Sequence, residues 1–386
     1  MPGGRLPSAH DVFVAGGVPT HTLVQREVGS LQRDLSSAAQ TRHRLILVRG
    51  ISKIGKSVLA RSVAIDPIVV ACGANDDEEA LWRSLASGLS AFSSETFEFQ
   101  ANTETQVKGS ASAKFSGVGA SGELSLRGGS QGKVQKQRSR DLSSEVLQLL
   151  TDEDRTLIFE DAHRLSHDGL TRVLSALREP LMQGLRVIFT STRLSLADIF
   201  LAQPDFLGRV ARFDVDPWMP EELTRIVVEG FDTLGLSLPA DDIAQIVASS
   251  EGSPFLTQLI CLEYCHRIGY RRGVDARMAI PSQDLTSICR KIAQEHALPL
   301  GEVLRRTMLR PEDAESVLTR LAEHVAQGGA YGAMPLGPET PIAPTDDEAS
   351  QFRAGALVPY GLEEDQQAGM LHVLDPMILF GLRWGM

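Results

Sequence analysis

The chain has 386 residues, of which 42% are hydrophobic and 23% are charged, and its formal net charge at pH 7 is −11. This length exceeds one ordinary hydrophobic core, so we expect two or three globular domains. The negative charge argues against nucleic acid as a partner of the whole molecule, because an acidic surface repels a polyanion.

The sequence also carries signals about its compartment. No uninterrupted apolar run approaches the roughly 20 residues that a membrane-spanning helix needs. The first residues, MPGGRLPSAHD, lack the charged and then apolar pattern of a secretory signal. Cys261 and Cys265 lie one helical turn apart in an apolar stretch, which favours core packing over a metal site. We therefore predict a cytoplasmic protein with free thiols and no membrane contact.

A strand, a glycine-rich loop and a helix follow one another near the N-terminus. Glycine and proline over residues 11–28 predict a loop, and a first helix is expected at about residues 28–39. Residues 43–48 predict a buried strand, and residues 57–64 predict the next helix. Between them, GISKIGKS at residues 50–57 fits the pattern G-x-x-x-x-G-K-[ST] of a phosphate-binding loop.

The residue types in this loop have physical reasons to bind a nucleotide. Gly50 and Gly55 allow a tight turn that brings backbone N–H groups against phosphate oxygens, at the positive end of a helix. Lys56 supplies a cation to the β- and γ-phosphates, and the Ser57 hydroxyl is a ligand for Mg²⁺. The alternative is a chance match, because the pattern fixes only four positions. The other loop residues that we expect to contact nucleotide are Ser52, Lys53, Ile54 and Val58.

The next segment is a β/α unit followed by an insertion. Residues 67–72 predict a buried parallel strand, and residues 76–90 predict an amphipathic helix. From about residue 95 to 140 the composition changes to Gly, Ser, Thr, Lys and Gln, which predicts an inserted hairpin or loop. Its end gathers four cations within residues 133–140. These cations could bind a phosphate backbone or an acidic partner, or they could form a solvated basic loop.

Two carboxylates end the next predicted strand. The apolar residues 156–159 lead directly into Glu160 and Asp161, which is the Walker B pattern. A buried parallel strand delivers its carboxyl end to the sheet edge where ligands of α/β proteins bind. One carboxylate can hold hydrated Mg²⁺, and the other can orient the water that attacks the γ-phosphate. The pattern usually places aspartate first, so the two roles stay open, and a strand ending in two solvated acids is the alternative.

The sheet is completed by two further predicted strands, residues 185–189 and 210–215. The first ends in TSTR at residues 190–193. The segment DPWMP at residues 216–220 then ends the sheet, because its two prolines stop regular pairing.

The C-terminal part is predicted to be helical first and mixed afterwards. Helices are expected over residues 221–230 and 241–250 and, after Gly-Ser-Pro, to about residue 268, without further strands. From about residue 276, three helices, a proline-rich loop and a hairpin before a closing helix from Asp375 predict a winged helix. The expected segments are helices over 284–295, 300–307 and 311–326, the loop over 328–345, and strands over 356–358 and 370–374.

In chain order these motifs resemble those of STAND-type ATPases, the signal-transducing relatives of the AAA and apoptotic ATPases, from about residue 11 onward. LVQRE at residues 23–27 is similar to their h-h-G-R-E segment, although Gln25 stands in place of glycine, and a solvated helix entry is the alternative. The TSTR strand end resembles their sensor strand, which implies a charge-assisted pair between Arg193 and the γ-phosphate, and a pair with a surface acid is the alternative. Gly-Ser-Pro resembles the G-x-P of their lid, although a helix stop with proline at the first helical position would give the same letters. The resemblance implies nucleotide contacts for Val24, Arg26 and Pro254.

The resemblance implies an α/β fold with the parallel sheet of a P-loop NTPase, followed by an all-α lid and a C-terminal winged-helix-like domain. The expected boundaries are an adenine-side segment at 1–30, the ATPase core at 31–216, the lid at 217–275 and the winged-helix-like domain at 276–386.

The same resemblance implies a slow regulatory ATPase that uses ATP and Mg²⁺, with ATP and ADP holding the lid and winged helix in different positions. A separate sensor or effector protein and a homo-oligomer are the expected partners. A DNA-transaction ATPase of the origin-binding or transposition-helper type and an inactive P-loop scaffold are the alternatives. We expect the winged helix not to read DNA, because residues 311–326 are acidic. Any weak, non-specific contact with nucleic acid is expected at residues 133–140.

Overall fold

The structure is a computed structural model that divides into two compact units. Unit 1 comprises Met1–Gln32, Arg49–Leu59 and Asp214–Met386, and unit 2 comprises Arg33–Val48 and Ala60–Phe213. The domain boundaries drawn from the sequence stay a prediction. The structure describes residues 7–24, 26, 31–73, 81–83, 85–86, 143–192, 206, 208–270, 278–296, 323, 333–335, 362–365 and 370–385.

A five-stranded sheet forms the centre of the α/β part, with strand order β2-β3-β4-β1-β5. Strand β3 runs parallel to both β2 and β4. The predicted α/β class with a parallel sheet is confirmed. The strands are β1 (Leu45–Arg49), β2 (Pro67–Ala71), β3 (Thr156–Glu160), β4 (Arg186–Ser191) and β5 (Val210–Asp214).

The central strands are buried along nearly their whole length. Every residue of β4 is buried, and in β1 and β3 every residue is buried except the last. Phe159 of β3 stacks on Phe189 of β4 with ring centroids 4.7 Å apart, and Trp82 meets Phe159 edge-on at 6.4 Å. Continuous apolar runs are expected when both faces of a parallel sheet are covered, which explains why sequence reasoning located these strands to within a few residues.

The helices carry recognisable start and stop signals. Ser166 caps α4 by accepting a hydrogen bond from the Gly169 N–H, and Gly184 ends that helix with a φ of 108°. Residues 143–152 are also helical. In chain order the labelled helices are α1 (Ala9–Val12), α2 (Leu31–Gln40), α3 (Lys56–Val63), α4 (His167–Gln183), α5 (Pro220–Thr233), α6 (Ala240–Ser249), α7 (Pro254–Arg267), α8 (Leu285–His296) and α9 (Pro376–Trp384).

Unit 1 has its own core between these C-terminal helices. Phe231 of α5, Tyr264 of α7, Ile288 of α8 and Phe380 of α9 belong to one buried apolar cluster. Helices on both sides of the expected boundary at residue 276 therefore share a core. All four cysteines are buried and none of them forms a disulfide, and burial raises the pKa of the Cys265 thiol to about 12.

Two short strands lie in segments for which no strand was predicted. Strand β6 (Leu236–Ser237) pairs in parallel with β7 (Met278–Ala279), so the segment expected to be entirely helical contains a short strand. Two-residue strands are too short to show an alternating pattern. No helix among the described residues is long and apolar enough to cross a bilayer.

The C-terminal module, residues 276–386, contains a three-stranded antiparallel sheet of order β8-β10-β9. Its strands are β8 (Ala333–Pro335), β9 (Leu362–Asp365) and β10 (Met370–Val373). The helix predicted over 284–295 matches α8, and the strand predicted over 370–374 matches β10. The helices predicted over 300–307 and 311–326, apart from residue 323, and the strand over 356–358 lie outside the described residues, as does the insertion over 95–140.

Candidate nucleotide-binding site

The phosphate-binding loop, residues 50–57, begins where β1 ends. The Val215 N–H donates to the Arg49 carbonyl oxygen at 2.7 Å, which fixes the entry to the loop. Gly50 has a φ of 155°, and a Cβ added there would lie only 2.6 Å from the Val215 carbonyl oxygen. A larger residue at position 50 would therefore displace backbone, which explains the glycine in the motif.

The second glycine faces open space. Gly55 has a φ of 93°, and a Cβ added to it would meet no atom of the described residues within 4 Å. Helix α3 starts at the next residue, Lys56, and its first turn is closed by the Leu59 N–H, which donates to the Gly55 carbonyl oxygen at 2.9 Å. The loop thus has the room and the helix N-terminus that a phosphate requires.

Lys56 is the buried cation of the loop. Its side chain is 6% exposed, and its ammonium group donates to the Ile51 carbonyl oxygen at 2.6 Å. A buried ammonium group needs strong acceptors, and a phosphate oxygen is a stronger acceptor than a carbonyl because the bond becomes charge-assisted. Ser57 and Val58 lie half-buried in the first turn of α3, immediately after it.

The predicted adenine-side residues lie in the same unit as the loop. Val24 is buried and packs with Leu223 and Ile226. The Arg26 guanidinium donates to the Asp216 carbonyl oxygen at 2.9 Å and pairs with Glu222 at 3.4 Å. Gln25 and Glu27 lie outside the described residues.

Trp218 connects Arg26 to the phosphate-binding loop. The Arg26 guanidinium lies over the Trp218 ring, 5.4 Å from its centroid, which is cation–π geometry. The indole N–H of Trp218 donates to the Ile54 carbonyl oxygen at 3.0 Å. Sequence reasoning placed Trp218 only in the segment that ends the sheet. The signal it overlooked is a large amphipathic ring beside two prolines, where the chain leaves the sheet.

The Gly-Ser-Pro turn contacts the loop as well as starting a helix. The Ser253 hydroxyl donates to the Lys53 carbonyl oxygen at 3.0 Å, and it also caps α7 by accepting from the Leu256 N–H at 3.4 Å. Pro254 is buried at the first position of α7. The interpretation as a helix start is confirmed, and the turn also holds the loop, whereas a nucleotide contact of Pro254 stays a prediction.

The C-terminal module contributes contacts to the loop that the sequence did not predict. The Ser52 N–H donates to the Leu374 carbonyl oxygen at 2.6 Å. The Lys53 ammonium group pairs with the Asp375 carboxylate. Lys53, predicted as a nucleotide contact, therefore has a protein partner.

The two carboxylates of the Walker B pattern lie in unit 2, at the end of β3. Glu160 accepts from the Arg61 guanidinium at both oxygens, at 2.8 and 2.9 Å, and this hydrogen bonding raises the pKa of Arg61. Asp161 has a φ of 57°, and its N–H donates to the Thr190 hydroxyl at 3.1 Å. The end of the predicted sensor-like strand thus fixes the backbone of Asp161. Arg193 lies outside the described residues.

The predicted Mg²⁺ ligands Ser57, Glu160 and Asp161 all offer oxygen atoms, the donor type that Mg²⁺ prefers. A cation at Glu160 would compete with Arg61, which occupies both carboxylate oxygens. Within the described ranges, no group of three or more His, Cys, Asp or Glu side chains is arranged to hold a metal ion. Mg²⁺ in nucleotide sites commonly has one or two protein ligands, with phosphates and water as the others.

No protein-family model matches this chain, and no curated protein matches it. Solved structures do match. The Walker-type ATPase PABY2304 of Pyrococcus abyssi is 18% identical and has a TM-score of 0.54, over 94% of this chain and 96% of its own. The ORC2 protein of Aeropyrum pernix, in ADPNP–ADP complexes, is 12% identical with a TM-score of 0.49, over 98% of this chain and 97% of its own. The ORC1 protein of that organism, in complex with DNA, is 14% identical with a TM-score of 0.47, over 96% and 95%.

At 18% identity the first of these likenesses establishes a shared fold. The chain therefore has the α/β fold of a P-loop NTPase, as the sequence predicted. The STAND subclass stays a prediction, because a likeness at 18% identity shows the fold alone.

Proposed function

We propose that this protein binds ATP with Mg²⁺, hydrolyses it slowly, and uses its nucleotide state to control its C-terminal module. The observation that carries this proposal is the loop at residues 50–57. It combines a glycine that the backbone requires, open space at Gly55, a helix N-terminus and the buried ammonium group of Lys56. Those features together are the requirements for holding a polyphosphate.

Lys56 provides the charge in this scheme. Its ammonium group exchanges the Ile51 carbonyl oxygen for a phosphate oxygen, which gains a charge-assisted hydrogen bond. The N–H groups at the start of α3 hold the same phosphates. The base lies beside Val24, Arg26 and Pro254, where Trp218 joins the Arg26 side to the loop.

The two carboxylates have different surroundings, and we assign them different roles. Glu160 already holds a cation, the Arg61 guanidinium, so we assign its carboxylate to Mg²⁺, which when bound would neutralise charge on the phosphates. Asp161 is held through its backbone by Thr190, and we assign its carboxylate to orienting water. Arg193 is assigned to sensing the γ-phosphate.

Replacing Lys56 with Ala tests the proposal. Losing a charge-assisted hydrogen bond should lower the affinity for MgATP by about 10- to 100-fold. Titration calorimetry measures this affinity. Lys291→Ala is the matched control, because it removes an ammonium group that pairs with Glu263 at 2.6 Å in the same unit but away from the loop. The control should bind MgATP as the parent does. Equal affinity in the parent and Lys56→Ala would remove the basis of the proposal.

Two finer classes remain: a STAND-type switch that acts through a protein partner, and a DNA-transaction ATPase. Binding of labelled duplex DNA at about 150 mM salt, with and without ATP, separates the two. ATP-dependent duplex binding would favour the second class. Release or capture of a protein partner on ATP addition, without duplex binding, would favour the first. Point variants suit this experiment better than deletion of residues 276–386, because α8 and α9 belong to the core of unit 1.

A further inference from the structure

Lys53, in the middle of the phosphate-binding loop, is held by several groups of unit 1. Its backbone has a φ of 59°, the left-handed region that residues other than glycine seldom adopt. Its carbonyl oxygen accepts from the Ser253 hydroxyl at 3.0 Å. Its ammonium group pairs with Asp375 and lies 5.7 Å from the centroid of the Phe255 ring. A strained backbone persists only when its surroundings fix it, and these contacts do so.

Asp375 performs two tasks with one carboxylate. One oxygen accepts from the Met377 N–H at 2.9 Å and caps α9, while the other pairs with Lys53. The preceding residue, Leu374, accepts the Ser52 N–H at 2.6 Å. The side chains of Lys53 and Asp375 are 28% and 20% exposed, so water screens this pair less than it screens a fully exposed surface pair.

The other end of α9 contacts the residues just before the Gly-Ser-Pro turn. Arg383 pairs with Glu251 at 2.6 Å and also donates to the Ala248 carbonyl oxygen at 3.4 Å. Glu251 stands immediately before the Gly-Ser-Pro turn that holds Lys53. The helix has nine residues and so measures about 13 Å, and it is bound at both ends.

We propose that the Lys53 side chain binds the C-terminal helix α9 and not the nucleotide. The Lys53–Asp375 pair would then make the loop at residues 50–57 and α9 move as one body. This inference rests on the proposed function, because it takes residues 50–57 as the nucleotide-binding loop. Breaking the pair frees the strained backbone at residue 53, and the loop then opens more often. The pair therefore slows the release of bound nucleotide.

Two variants remove the charges with little other change. Asp375→Asn keeps the helix cap, because asparagine is as good a cap as aspartate. Lys53→Met keeps the length of the side chain. Lys291→Met is the control, since it breaks a different ion pair of the same unit, the one with Glu263.

The first measurement is hydrogen exchange without nucleotide. Both variants should speed exchange in residues 50–57 and in residues 374–384, by about fivefold, and the double variant should go no further than the single ones. The control should leave both segments unchanged. Unchanged exchange in either single variant, or a change confined to one of the two segments, overturns the coupling whether or not the protein binds nucleotide.

The second measurement is the release rate of fluorescent ADP. We expect about fivefold faster release in both variants. The opposite pattern, weaker binding with Lys53→Met and tighter binding with Asp375→Asn, would show that Lys53 is a phosphate ligand and overturn the proposal. Absence of ADP binding in the parent would refute the proposed function, and hydrogen exchange would still decide the coupling.

Discussion

Glu251, beside the Gly-Ser-Pro turn, gives the protein a predictable dependence of stability on pH. Its side chain is buried, with the residue only 4% exposed. Burial raises the pKa of its carboxyl group from 4.5 to about 7, and the opposing effect of Arg383 is smaller. The folded protein thus keeps this group protonated in a pH range where the unfolded chain has lost the proton.

The sign of the effect follows from proton binding in the two states. Between the unfolded pKa of 4.5 and the folded pKa of about 7, the folded state holds one proton more than the unfolded state. The free energy of unfolding therefore falls as pH rises through this window, and it is steady above and below it. Each pH unit corresponds to about 1.4 kcal/mol, so the whole window is worth roughly 3 kcal/mol.

The assay compares the parent with Glu251→Gln, which cannot titrate. Urea unfolding would be followed by tryptophan fluorescence at several pH values from 4 to about 8. A Trp82→Phe background leaves Trp218 and Trp384 of the three tryptophans, and both lie in unit 1 with Glu251. The difference in unfolding free energy between parent and variant should fall by roughly 3 kcal/mol across the window.

Arg383→Met provides the control, because Arg383 lowers the pKa of Glu251. Removing that cation should raise the folded pKa of Glu251 and so extend the window to higher pH. A difference between parent and Glu251→Gln that stays constant from pH 4 to about 8 would refute the reasoning. It would mean that Arg383 keeps the buried carboxylate ionised, so that the ion pair outweighs the cost of burial.

Three further predictions concern single side chains. The variants Glu160→Gln and Asp161→Asn should each bind MgATP with an affinity within about tenfold of the parent's, but their single-turnover hydrolysis should be slower by about 100-fold or more. Hydrolysis at the parental rate in both variants would exclude the Walker B roles. Arg61→Gln should lower the Mg²⁺ concentration for half-maximal ATPase activity by about threefold, because it removes the cation held by Glu160. An unchanged Mg²⁺ concentration would contradict a competition between Arg61 and Mg²⁺ for Glu160. Gly230→Ala would place a Cβ 2.3 Å from the Phe13 ring, and the repacking this requires costs about 1–3 kcal/mol. That cost should exceed the gain of about 1 kcal/mol from the higher helix propensity of alanine, so the melting temperature should fall.

Sequence spacing alone located the loop at residues 50–57, the strands β1 to β5 and the paired carboxylates. Each of these features is local, because glycine positions, apolar runs and strand ends are set by neighbouring residues. The apolar runs of β1, β3 and β4 could be assigned because both of their faces are covered. The two-residue strands β6 and β7 were missed, because such short pairings depend on what lies opposite them.

The sequence by itself therefore determined the class of fold and the residues of the loop, whereas only the tertiary structure decided what holds that loop. Arg61 meets Glu160 across 99 positions of sequence, Trp218 meets Ile54 across 164, and Asp375 meets Lys53 across 322. No local pattern marks these residues, because a hydrogen bond between distant segments leaves no periodicity in either one. The energy of a phosphate-binding loop depends on such partners, since a left-handed backbone at Lys53 needs surrounding groups to maintain it.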